Sequence, residues 1–446
     1  MSKRIRAAAA ATVVLLLIAI HLSPVAQQPA RTTGIEPAPV AAGKSNEFLD
    51  STHEILEEVS RMRGLKILTP VKSGVKSRTE IEREIIRNFE ESLKPEELRT
   101  INKTLIAYGL VPKDFDYREF MIKLMTEQVA GFYRPKSKEL FIADWNELSQ
   151  QKPVMAHELT HALQDQHFNL RRFEEWPSGD GDREMAIHAL IEGDATDIMY
   201  NYQLKPMKTD ISRLPNLAIF ADQTTALNGK DDQKVYLSAP PAIRESLIFP
   251  YIYGASFVQE LVKEDGWDAV SRAFTDLPQS TEQIIHFEKY RLHEEPIKVR
   301  LADLTSILGP DWKQIDADIN GEFGYFLILS EYVVKREARK AAEGWGGDQS
   351  VLYEHKRTGE LLLVHLSKWD SLKDAGEFFQ AYAKRTLKRY PQATLRRELS
   401  AREHHFQTPD GDVFIQWRDQ SVLVVEGLPS KELDRLNKLT AALWKH

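Results

Sequence analysis

The residues with the clearest chemical potential are His157, Glu158 and His161, in the stretch VMAHELTHALQDQHF (154–168). On a helix, side chains four apart share a face, so His157 and His161 can aim two imidazoles at one ion. Glu158 sits beside them, placed to take a proton from water rather than to bind the ion itself. The plainer alternative is a helix with two surface histidines. Val154, Met155, Ala156, Leu159, Ala162 and Leu163 argue against it, because so many apolar neighbours bury the segment. The chain has no Cys, which excludes disulfides, thiolate nucleophiles and Cys-based zinc or iron–sulfur sites. Any metal must be held by His and carboxylates.

A catalytic zinc takes three protein ligands and keeps one position open. Two residues compete for the third place. His167 follows His161 by six positions, the metzincin spacing, but that pattern needs Gly at 164 so that the chain can leave the helix. Here Gln164 favours continuation. Continued at about 100° per residue, His167 points about 240° away from His161. Glu192, in HALIEGDATDIM (188–199), is the preferred ligand. Its helix is buried through Ala189, Leu190, Ala195 and Ile198, and a Glu on such a face costs free energy unless paired or metal-bound. Gly193 would let another backbone approach closely. The alternative for Glu192 is a carboxylate on the edge of an amphipathic helix.

H-E-x-x-H followed by a Glu opening an E-G-x-A motif on a later helix resembles the gluzincins, the thermolysin-like zinc peptidases. The phrases HELTHALQDQHF, IEGDAT and STEQIIHFEKY are also similar to a group of largely uncharacterised exported bacterial proteins with that motif. The resemblance covers about residues 128–290. It implies Zn2+ as cofactor, His157, His161 and Glu192 as ligands, Glu158 as general base, and a peptide or protein substrate. The thermolysin pattern places an Asp four residues after the ligand Glu to support a His. Here that position is Thr196, which leaves Asp194, Asp197 or Asp165 to do so. Peptide hydrolysis also needs a donor for the oxyanion. His286, projected by a capped helix start at Ser280, is the first choice, and Tyr253 in FPYIYGASF, which also holds Tyr251, is the second. Core packing is the competing role for each. Strand Gly131–Arg134 is expected to pair with an extended substrate.

Several elements must position these groups. The 446 residues carry 59 Lys+Arg against 66 Asp+Glu, a net −7 that offers no basic face for nucleic acid. Lys3, Arg4 and Arg6 precede the uncharged run Ala7–Ile20, which reads as an export signal. Ala26 is an imperfect cleavage site with Pro24 at −3, so residues 1–26 form a cleaved signal or a membrane anchor, and 27–44 a flexible linker. The protein is thus expected in the periplasm or outside the cell.

Residues 45–127 read as helical, with a capping box at Ser77/Glu80 and a helix start at Pro95, and would form a covering domain or a propeptide. A hairpin turning at Pro135–Lys138 opens a zincin-like domain over 128–343, with helices at 182–204 and 323–342. Beyond Gly344, four apolar strands and two helices indicate a small α+β module, 344–446. The expected class is α+β: a mainly helical catalytic domain with a small hairpin or sheet, then the module. Two functions follow: an exported zinc metallopeptidase, or a non-catalytic envelope protein with a structural zinc site and a partner-binding module.

Overall fold

A computed structural model describes residues 42–145, 147–174, 179–220 and 234–445; the expected export segment and most of the linker lie outside them. The chain is α+β. Its first described helix, α1 (Ala42–Arg63), leads through strand β1 (Lys72–Lys76) into α2 (Arg78–Ser92), α3 (Pro95–Tyr108) and α4 (Tyr117–Gln128). The capping box forms as expected, with Ser77 Oγ accepting from Glu80 N and Glu80 accepting from Ser77 N. Ile81, Ile85 and Phe89, four residues apart, give α2 its buried stripe. Pro95 opens α3, and Gly109, at φ 70°, ends it in the left-handed conformation.

The hairpin β2 (Gly131–Arg134) and β3 (Glu139–Ala143) pairs antiparallel, and β1 adds parallel to β3, giving the order β1-β3-β2. Helices α5 (Leu148–Phe168), α6 (Gly181–Leu204) and α7 (Pro241–Ala273) follow. The last is broken at Asp265–Gly266, where Gly266 takes φ 63°. Helix α5 lies between two cores. On one side Phe48, Ile55, Leu56 and Val59 of α1 meet Leu140 and Ile142 of β3 and Met155, Leu159 and Leu163. On the other, α6 and α7 belong to the main core. Helix α6 is buried nearly all round, Glu192 included.

Next come β4 (Trp312–Asp318), α8 (Gly321–Ser330), α9 (Lys335–Ala342), β5 (Trp345–His355), β6 (Leu361–Trp369) and α10 (Leu372–Arg389). Strands β7 (Thr394–Ser400), β8 (Glu403–Thr408), β9 (Gly411–Arg418) and β10 (Ser421–Leu428) and helix α11 (Leu436–Leu443) complete the chain. The strands form one antiparallel sheet, β4-β5-β6-β10-β9-β8-β7.

Three features differ from the sequence expectation. The single helix expected over 323–342 is two, with the β-branched pair Val333–Val334 at the break. The sheet starts at Trp312, ahead of the expected boundary at 344. The strand β1, KSGVK, lies in a region read as helical throughout. Among the described residues no helix is long and apolar enough to cross a membrane.

Candidate metal centre

Helix α5 runs unbroken past Gln164 to Phe168, so His157 and His161 share a face while His167 does not. His167 instead lies 2.7 Å from the Lys66 carbonyl. From α6, Glu192 completes a buried group with His157 and His161. Its Oε2 is 3.1 Å from His157 Nε2 and 3.4 Å from His161 Nε2, and the two Nε2 atoms are 3.1 Å apart. Tetrahedral ligands at zinc bond lengths of about 2.0–2.1 Å are roughly 3.3–3.4 Å from one another. The donor set therefore fits such an ion in both chemistry and spacing.

The electrostatics agree. Burial is the largest single influence and would lower His161 and raise Glu192, but their partners together reverse it. Glu192, with Glu158 and Gln164, lifts His161 to about 9, and His161, with His157 and His188, holds Glu192 well below the usual carboxylate range. A positive charge between these groups is favoured, and a metal ion would compete with that proton.

Glu158, 0% exposed, follows His157 on the same helix. Its Oε2 accepts the Tyr133 N–H of β2 at 2.6 Å, and its Oε1 has no hydrogen-bond partner among the described residues. Burial pushes its pKa up to about 8 against the opposing influence of His161 and the Tyr133 N–H. Strand β2 is an edge strand, as the substrate-pairing expectation requires. Its residues Gly131, Phe132 and Tyr133 are nevertheless buried, and one of its N–H groups is taken by Glu158.

The surrounding shell is where the structure adds most. His161 Nδ1 lies 2.8 Å from Gln164 Oε1, and Gln164 Nε2 donates to the Ile191 carbonyl (3.0 Å) and to Asp194 Oδ2 (2.9 Å). Asp194 thus supports a ligand His, but through Gln164. Asp165 accepts from Tyr133 Oη and Leu170 N instead. Asp197 is pushed well above the normal range by burial and by Asp194.

The two expected oxyanion donors are engaged elsewhere. His286 Nε2 is 2.9 Å from Glu322 Oε1, and Tyr253 Oη accepts from Arg339. Beside the ligand group lie Tyr251, whose ring is 6.0 Å from that of His157, and His188, whose Nε2 is 3.8 Å from Glu192 Oε1. His188 is 15% exposed, against 1% for Glu192. Its position, one turn before Glu192, was readable from the sequence. The parts played by Gln164 and Arg63, which pairs with Asp194, were not.

Residues 310–437 match the model of a family described only as a domain of unknown function (DUF8575). That span covers the seven-stranded sheet from β4 to β10 and leaves out α5 and α6, so it does not bear on the ligand group. Neither the curated proteins nor the solved structures yield a match.

Proposed function

We propose that the chain is a zinc-dependent peptidase of the gluzincin type, with His157, His161 and Glu192 as ligands and Glu158 as general base. The observation that carries this reading is the spacing of the three ligand atoms, 3.1–3.4 Å, with Glu158 next to His157 on α5. When bound, zinc supplies Lewis acidity, polarising a peptide carbonyl and making water nucleophilic near neutral pH. Glu158 accepts the proton of the attacking water at Oε1 and returns it to the leaving amine. Burial raises the Glu158 carboxyl above the usual carboxylate range, which makes it a stronger acceptor for the proton of the attacking water. We assign the oxyanion donor to His188, whose Nε2 lies 3.8 Å from Glu192 Oε1; His286 is held by Glu322, and Tyr253 Oη accepts from Arg339. A peptide pairing with β2 would compete with Glu158 for the Tyr133 N–H. Export by residues 1–26 is part of the proposal and rests on the sequence alone.

One observation favours a second reading. His157, Glu158, His161 and Glu192 are all at most 1% exposed, as expected for a structural ion that pins α5 to α6 in a non-catalytic envelope protein. The experiment that separates the two combines metal content with cleavage of a peptide library. The catalytic reading expects about one zinc per chain. It also expects cleavage to fall by about 10²–10⁴-fold in Glu158→Gln with zinc retained. Wild-type protein that holds zinc and cleaves nothing supports the structural reading.

A further inference from the structure

We infer that Arg63, at the end of α1, is a positioning residue of the metal centre, which makes the N-terminal helix a working part of that centre and not a detachable cover. This rests on the reading that His157, His161 and Glu192 hold a metal ion. To ligate through Nε2, the atom that faces Glu192 and His157, His161 must carry its proton on Nδ1. The structure supplies the means to keep it there. Nδ1 faces Gln164 Oε1 at 2.8 Å. The amide of Gln164 cannot turn over, because its nitrogen faces the Ile191 carbonyl, which only accepts, and Asp194 Oδ2. Gln164 therefore presents its oxygen to His161 and selects the Nδ1–H tautomer.

Asp194 anchors that amide and is wholly buried. A buried carboxylate needs a counter-charge, and Arg63 supplies it, with Nε 2.6 Å from Asp194 Oδ1 and both side chains 0% exposed. Arg63 is itself seated by the Trp267 carbonyl (3.3 Å), Ser271 Oγ (3.1 Å) and the face of the Trp267 ring, 5.1 Å away. The chain of contacts Arg63–Asp194–Gln164–His161 thus joins α1 to the metal through three side-chain links. Removing α1 would strip Asp194 of its counter-charge and uncover the apolar side of α5 that Ile55, Leu56 and Val59 cover.

The test measures zinc affinity of the full chain by chelator competition. Arg63→Met and Asp194→Asn should each weaken binding by about 10–100-fold, with Arg63→Lys recovering part of the loss. In a Gln164→Met background, where the link to His161 is already cut, Arg63→Met should change affinity by no more than about twofold. Asp194→Asn keeps the shape of the site, so it decides the matter if Arg63→Met does not fold. Affinities within about twofold of wild type for both single variants would overturn the inference, as would equal losses from Arg63→Met in the two backgrounds. Because the readout is affinity, a protein that shows the expected pattern but cleaves no peptide sustains this inference and removes the peptidase reading. Wild-type protein that takes up no zinc removes both.

Discussion

His167 and Glu192 have similar claims on the ion by residue type, and helix geometry separates them. A helix that continues through Gln164 carries His167 round to Lys66, whereas Glu192 arrives on a second helix with its carboxylate already among the imidazoles. Glu192→Ala should therefore lose zinc on dialysis and His167→Ala should keep it; metal analysis of the two purified variants decides, and the reverse pattern would favour the metzincin arrangement. His188→Ala should lower kcat by about 10²–10³-fold while leaving zinc content intact, if it donates to the oxyanion. Loss of the metal instead would make His188 a support for Glu192. His157, Glu158 and His161 were legible because their relation is local, fixed by 3.6 residues per turn. The supporting role of Gln164 was not, since it depends on where the Ile191 carbonyl and Asp194 lie once α6 has docked.

Among the elements, the crossing of α6 and α7 is the tightest constraint on the centre. A Cβ at Gly193 would meet the Gly254 carbonyl carbon at 2.2 Å, and one at Gly254 would meet the Ala189 carbonyl oxygen at 2.1 Å. Both obstacles are backbone, so neither helix can give way by moving a side chain. Gly254→Ala should destabilise the fold by about 3 kcal/mol, the upper end of ordinary overpacking costs. Zinc affinity should fall with it, because Ala189 is less than one turn from Glu192. A thermal midpoint unchanged from wild type would show that the two helices can separate freely. Caps and stripes made most elements legible: Ser77, Pro95 and Ser280 mark real helix starts, and the apolar runs of β5, β6, β9 and β10 are strands. The strands β1, β4, β7 and β8 escaped notice because their sequences are polar and owe their form to a neighbour that supplies the pairing.

At the scale of the molecule, the C-terminal sheet is bolted to the N-terminal helices. Arg385 donates to the Tyr108 carbonyl, Arg389 donates to those of Ala107 and Ile106, and Glu426 on β10 balances both guanidinium groups. These carbonyls lie in the last turn of α3, where Ile106 also accepts the Gly109 N–H, so two cations help to close that helix. Nothing local in the sequence announces a bond between residues nearly 300 apart. Beside this cluster, His365 on β6 is fully buried, with its Nδ1 3.1 Å from Tyr325 Oη. Burial pushes it from 6.5 down to about 3, while Glu426 and Arg385 act on it in opposite senses. Between those values the unfolded chain holds the extra proton, so this contribution is complete above about 6.5 and declines as pH falls toward about 3. The decline is at most about 1.4 kcal/mol per pH unit. His365→Gln should flatten that part of the stability profile, and slopes equal to wild type in denaturant titrations between about pH 4 and 7 would remove His365 as its source.

The route of Arg63 also sets an order in time. Helix α1 is made early, yet its guanidinium meets Asp194 only 131 residues later and Ser271 only 208 residues later. Until α5 (Leu148–Phe168) has been made, Phe48, Ile55, Leu56 and Val59 lack the surface they pack on, and a nascent chain in that state is exposed to aggregation. On the proposed metal reading, loading is expected late in folding: a fragment ending before Trp267 has His157, His161 and Glu192 but lacks the seat of Arg63.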